Sequence, residues 1–308
     1  MKLNSFSENT GRNLLNLCLI FAVLIIITAC VCNTDRNSSV ETNKSNQSET
    51  LKTGDDSNSV PAPVKKDSKA ENKNQDRGDF IVEHLGVKNA RYENIDRQIK
   101  QDKTLENAAD QFNRSLILPH DIYLRTKDCG EANAFYNPND QSITMCYEMM
   151  EHFYLLYKED GYTDDEANES MSDAVRFVFL HEIGHALIDT YKLPITANEE
   201  DAADRCSSFI CIEELGDEGV KSILAAADAF RLESKSRTPT GRDLADEHLL
   251  QEQRFFNSLC MVYGSNPTKY SYIVEKGYLP EARAVRCPSE YERTAQSWST
   301  LLAPWRKK

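Results

Sequence analysis

Val175-Arg176-Phe177-Val178-Phe179-Leu180-His181-Glu182-Ile183-Gly184-His185-Ala186-Leu187-Ile188 is the stretch from which the rest of the chain is best read. It is almost wholly apolar and too long for a strand, so Asp173 to Ile188 reads as a buried helix. Inside it sits the pattern His-Glu-x-x-His. Helical residues four apart share a face, so His181 and His185 can reach one cation. Glu182 follows the first histidine and can project toward a water beside that cation. The bland reading is a pair of hydrogen-bonded core histidines. Against it, two imidazoles and a carboxylate on an otherwise buried helix are costly without partners.

A tetrahedral metal site with an open position needs a third protein ligand. Lys192-Leu193-Pro194 breaks the chain after the motif, and a second helix begins near Asn198, an apt N-cap. Glu199, Glu200, Asp201 and Asp204 follow. Acidic residues in a first turn often only complement the helix dipole. Glu200 and Asp204, however, form ExxxD on one face. Glu200 then supplies the ligand, and Asp204 accepts the outer N–H of a ligating histidine. Glu199 has Ala203 four residues on and lacks that support; Asp201 is the weaker alternative ligand.

The combination of HExxH with a downstream ExxxD resembles the gluzincin-type metallopeptidases. More closely, the chain resembles an uncharacterised bacterial metallopeptidase family. The matching stretches are CGEANAFY, CYE, HEIGHALID, EEDAAD, DEHLLQEQRFFNSLC, VYG and LPEARAVRC, spread over residues 80–300. The resemblance implies a zincin-like fold and one Zn²⁺ held by His181, His185 and Glu200. It implies no substrate. Asn133-Ala134-Phe135-Tyr136 is also similar to the edge strand with which thermolysin-like enzymes bind an extended peptide, which makes Asn133 and Ala134 candidate substrate-binding residues. An ordinary hairpin strand is the rival reading. In Asp246-Glu247-His248, His248 is a candidate donor to the tetrahedral intermediate, oriented by Asp246. Tyr191 and Arg254 compete for that role, and a solvated helix face explains His248 as well.

Around the motif the chain reads as α+β: a small β-ribbon followed by helices. Phe80–Val82 and Ile122–Leu124 are strand-like. Asn133–Tyr136 and Ser142–Met145 form a hairpin over the turn Asn137-Pro138-Asn139-Asp140. Helices are expected at 104–116, 149–157 and 173–188, and then at 199–215, 218–232, 243–262 and 281–302.

The N-terminal part has another character. Leu14–Ile27 is a 14-residue apolar run, short for a membrane span but suited to a signal peptide. Ile27-Thr28-Ala29-Cys30 resembles a bacterial lipobox, which implies cleavage before Cys30 and its lipidation. An uncleaved anchor or an ordinary signal peptide are the alternatives. Val31 to Gly78 has no aromatic residue and reads as a disordered tether with a reach on the order of 40 Å. The expected division is therefore 1–29 signal peptide, 30–78 lipidated cysteine and tether, and 79–308 zincin-like domain. This places the protein outside the cytoplasm, anchored in the cell envelope; Val31 rather than Asp after Cys30 favours the outer membrane in a Gram-negative cell.

Lys and Arg number 36 against 49 Asp and Glu, a net charge of −13. With no basic block, nucleic-acid binding is excluded. Nine cysteines are present. Setting aside Cys18, Cys30 and Cys32 leaves six in the domain, an even number that fits disulfides in an oxidising compartment. Cys129 and Cys146 flank the hairpin, and Cys260 and Cys287 bracket a compact helix-turn segment; Cys206 and Cys211 lie about 140° apart on one helix and do not bond each other.

The reading is a lipid-anchored zinc peptidase acting on peptides or proteins, with Glu182 as general base and acid. A zinc-binding but idle envelope module is the alternative, and a metal-free lipoprotein the remoter one. Oligomeric state is not encoded in any of these features.

Overall fold

The computed structural model describes residues 75–308 apart from 197 and 237. Leu14–Ile27, Cys30 and nearly all of the expected tether lie outside the described residues.

Four short strands form one mixed sheet: β1 (Phe80–Glu83), β2 (Ile122–Lys127), β3 (Ala134–Asn137) and β4 (Ser142–Cys146). Their order is β1-β2-β4-β3. β1 runs parallel to β2 and β2 parallel to β4, while β3 returns antiparallel to β4. Two helices make the crossover from β1 to β2: α1 (Glu93–Gln101) and α2 (Thr104–Ser115). Parallel neighbours need such a connection, whereas β3 and β4 share the expected hairpin. β4 is buried along its whole length and β3, at the edge, is half-buried.

The helical part follows as α3 (Tyr147–Glu159), α4 (Asp164–Tyr191), α5 (Glu199–Glu213), α6 (Gly216–Ser236), α7 (Gly241–Ala245), α8 (Gln251–Ser265), α9 (Tyr272–Glu275), α10 (Glu281–Ala284) and α11 (Cys287–Leu302). α4 is the spine. Its first half is polar, but from Phe177 to Tyr191 nearly every residue is buried, so the helix packs on several sides at once. It lies against β3, β4, α3, α5 and α6. Gly184 makes the α5 contact close: a Cβ there would lie 3.1 Å from both Ala203 Cα and Cys206 Cβ. That approach lets the first turn of α5 reach the motif. No helix among the described residues is long and apolar enough to cross a membrane.

Cys129 is bonded to Cys146 and Cys260 to Cys287, while Cys206 and Cys211 are free and buried. Closing the 17-residue separation of the first pair stabilises by about 3 kcal/mol in the chain-entropy picture.

Several boundaries differ from the sequence reading. α4 starts nine residues before Asp173, because Thr163 and Glu166 form a capping box that the polar sequence after them does not advertise. α1 was not expected; none of its residues is buried, so its pattern is weak. The helix expected at 243–262 is interrupted. Asp246 Oδ1 accepts the His248 backbone N–H at 2.9 Å, a local bond that competes with helix. The helix expected at 281–302 breaks at Arg286, with Pro288 in the first turn of α11, where its missing N–H costs nothing. Residues just before 79 also bond to the domain. Leu118 N–H donates to Asp76 Oδ1 at 3.0 Å, and Arg77 N–H to Leu118 O at 2.7 Å.

Candidate metal centre

α4 brings His181 and His185 to one face, and their Nε2 atoms stand 3.1 Å apart. Asn198 caps α5 by accepting the Glu200 N–H at 2.7 Å. The cap fixes the first turn so that Glu200 Oε2 lies 3.1 Å from His181 Nε2 and 3.4 Å from His185 Nε2. These three atoms form a triangle whose edges match those of a tetrahedron with bonds of 2.0–2.1 Å, about 3.3 Å. Glu200 Oε2 is buried and makes no aligned hydrogen bond, although imidazole nitrogens crowd it. A buried carboxylate oxygen is rarely left so. The residues therefore fit a divalent cation, and the donor set of two imidazoles and a carboxylate suits zinc.

Each imidazole is oriented from its outer side. His181 Nδ1 lies 2.8 Å from Asp204 Oδ1, and His185 Nδ1 lies 2.9 Å from Glu199 Oε1. Carboxylates only accept, so both histidines carry their proton on Nδ1 and turn Nε2 inward. Arg254 on α8 clamps Asp204 in turn, donating from Nε and Nη2 at 2.8 Å each.

The charges agree. Five carboxylates (Glu182, Glu199, Glu200, Asp204 and Asp246) and one guanidinium, Arg254, surround the histidines. Burial opposes it, yet the neighbouring imidazoles of His181, His185 and His248 hold the Glu200 carboxyl far below the usual carboxylate range. Burial likewise opposes it at Asp204, and Arg254 and His181 together, by charge and hydrogen bonds, outweigh it, again lowering the pKa. At His185 desolvation is overcome by Glu200 and Glu199, which push the imidazole up to about 9. The site asks for positive charge.

A family described as "putative metallopeptidase" matches residues 85–302, more than two thirds of the chain. This chain belongs to that family. Comparison with curated proteins and with solved structures gives no match.

In this family member Glu182 is buried beside the two histidines, 5% exposed. Burial pushes its carboxyl up, while the charges of His181 and His185 pull the other way. The Tyr136 backbone amide of β3 also faces it. Tyr136 Oη donates to Asp189 Oδ2 at 2.9 Å, so the edge strand is pinned to the motif helix at two points.

The other sequence candidates divide. His248 joins the centre: its Nε2 is 2.9 Å from Glu200 Oε2 and its Nδ1 3.0 Å from Asp246 Oδ1. His181, Glu200 and His248 offer ligand atoms that all lie within 4.8 Å of one another. Tyr191 does not take the donor role, since its hydroxyl donates to Ile117 O at 3.0 Å and its ring stacks on Trp305. Arg254 is committed to Asp204. Asp201 turns away and accepts from Arg205 Nε at 2.7 Å. Glu199, set aside on spacing, is the partner of His185. Asn133 and Ala134 stand at the start of β3, where Asn133 Oδ1 accepts the Ala134 N–H at 2.9 Å. The sequence reading included Glu148 only as the end of the CYE stretch and gave it no role; it accepts from the amides of Cys129 and Gly130 at 3.1 and 2.9 Å and, with the disulfide, fixes the loop that leads into β3. A glutamate directly after a helix-starting Cys-Tyr pair was the only available signal.

Proposed function

We propose that this chain is a zinc metallopeptidase of the gluzincin type, anchored to the cell envelope through Cys30. The observation that carries the reading is the triangle of His181 Nε2, His185 Nε2 and Glu200 Oε2, with Glu182 on the next helical position. Bound there, zinc would polarise the scissile carbonyl and acidify the attacking water. Glu182 takes the proton released by that water as its oxygen bonds to the carbonyl carbon. It returns the proton to the nitrogen as the C–N bond breaks, so carboxylic acid and amine leave and Glu182 is again ionised. Its buried setting supports this role, because desolvation raises its proton affinity.

Substrate would lie along β3. Phe135 and Asn137 face β4 in the ladder, as does Asn133, whose carbonyl accepts the Cys146 N–H at 3.1 Å. Ala134 and Tyr136 therefore turn their backbone groups to the open edge, where their carbonyls can meet a peptide; the Ala134 N–H is taken by Asn133 Oδ1 and the Tyr136 N–H faces Glu182. An extended peptide adds to such an edge by backbone bonds, with side-chain pockets left to set preference. His248, held through Nδ1 by Asp246, would donate to the developing oxyanion once protonated on Nε2, and the Asn133 amide would help to hold the peptide. The N-terminal signal peptide and tether would present this domain outside the cytoplasm.

Zinc analysis of the full chain paired with a peptide-library cleavage profile tests the proposal. One zinc per chain with cleavage is expected. Zinc without cleavage favours the idle binding module, and no zinc removes the reading.

A further inference from the structure

We propose that His248 is a fourth protein ligand of the metal in the resting protein, one that substrate must displace. The inference rests on the metal-centre reading above and extends it to how access is controlled.

Three histidines here share one arrangement. His181, His185 and His248 place Nδ1 at 2.8, 2.9 and 3.0 Å from Asp204, Glu199 and Asp246. In each, the carboxylate fixes the proton on Nδ1, so a neutral ring bears its lone pair on Nε2. All three Nε2 atoms face a single oxygen, Glu200 Oε2, at 3.1, 3.4 and 2.9 Å. Electron-pair donors aimed at one another repel unless a cation lies among them. Three imidazoles and one carboxylate would fill the four positions of a zinc site and leave none open to water. A donor serving only the reaction needs no place this close to Glu200.

His248 differs from the other two in its freedom. Its side chain is 46% exposed, against 4% for His181 and 13% for His185. It lies between α7 and α8, outside any helix, so it can withdraw without unwinding one. Two bonds hold that link in place: Asn198 Nδ2 donates to Glu247 O at 2.5 Å, and the His248 N–H to Asp246 Oδ1 at 2.9 Å. Asn198 also caps α5 at Glu200, so one side chain secures both the ligand helix and the link. A substrate carbonyl arriving from the β3 side would exchange with His248. The freed imidazole, still held by Asp246, then stands beside the reacting carbonyl.

Zinc K-edge X-ray absorption of the full chain loaded with one equivalent of zinc counts the imidazoles directly. Three are expected in the wild type and two, with an added water oxygen, in His248→Ala. Chelator competition should show zinc bound about tenfold more weakly, or worse, by His248→Ala. Asp246→Ala should keep three imidazoles and weaken binding by about 10–100-fold. Two imidazoles in the wild type, with unchanged affinity in His248→Ala, would overturn the proposal while leaving the metal centre standing. Zinc binding unaffected by His181→Ala would overturn the metal centre itself.

Discussion

Arg254 and Asp204 form a two-point ion pair, Nε to Oδ2 and Nη2 to Oδ1, both at 2.8 Å, although 50 residues separate them. The pair ties α8 to α5 behind His181, and the guanidinium also lies over the Phe230 ring, 4.1 Å from its centroid. A bidentate fork gives an orientation that a point charge does not. Arg254→Met should leave Asp204 largely buried without its cation, destabilise the fold by about 3–5 kcal/mol and weaken zinc binding. Arg254→Lys should retain part of both. Urea unfolding and chelator competition on the two variants check the order; equal behaviour of Lys and Met would contradict it.

Glu199 holds His185 as Asp204 holds His181. Glu199→Ala should therefore lower zinc affinity by about 10–100-fold with little effect on the fold, because the side chain is half exposed. Chelator competition alongside Asp201→Ala is the control, since Asp201 serves Arg205. Affinity lost in Asp201→Ala and kept in Glu199→Ala would reverse the assignment.

Tyr136 pins the edge strand to α4 through Asp189. Tyr136→Phe removes one hydrogen bond, a loss of about 1 kcal/mol, and should loosen the strand beside Glu182. A several-fold rise in KM with zinc content unchanged is the expected result. Loss of zinc with KM unchanged would mean that the strand serves the metal centre and not the peptide.

Glu148 gives a pH dependence remote from the metal. Partial burial works against it, but the amides of Cys129 and Gly130 hold its carboxyl below the ordinary value of 4.5. A carboxyl depressed in the folded state adds stability above that value and loses it as pH falls through the folded-state pKa. Thermal unfolding of the wild type should exceed that of Glu148→Gln near neutrality, and the gap should close on acidification below about pH 4.5. A gap constant from pH 7 to 3 would mean that the Glu148 carboxylate does not stabilise the fold.

How far the sequence carried depends on distance along the chain. His181 with His185, and Glu200 with Asp204, are spacings of one helical turn, and one-turn geometry is legible wherever a helix is. The hairpin that places Cys129 near Cys146 is likewise local. Glu199 was passed over because spacing reveals only partners on its own helix, and its partner lies across the α4–α5 contact. The same blindness put Arg254 among the oxyanion donors and hid its pairing with Asp204. The parallel pairing of β1 with β2 joins strands separated by two helices, which no periodicity announces. At Asp246–His248 the apolar pattern continued as helix, while a side-chain bond to the backbone ended it.

Proton transfer by Glu182 in zinc-dependent peptide hydrolysis is the step on which the proposed function stands. Its most direct test is the turnover of Glu182→Gln on a peptide cleaved by the wild type, with zinc content measured on the same samples. One zinc per chain is expected in both proteins, with a turnover reduced by about 10²–10⁴-fold in the variant. Cleavage by zinc-loaded Glu182→Gln at the wild-type rate would contradict it.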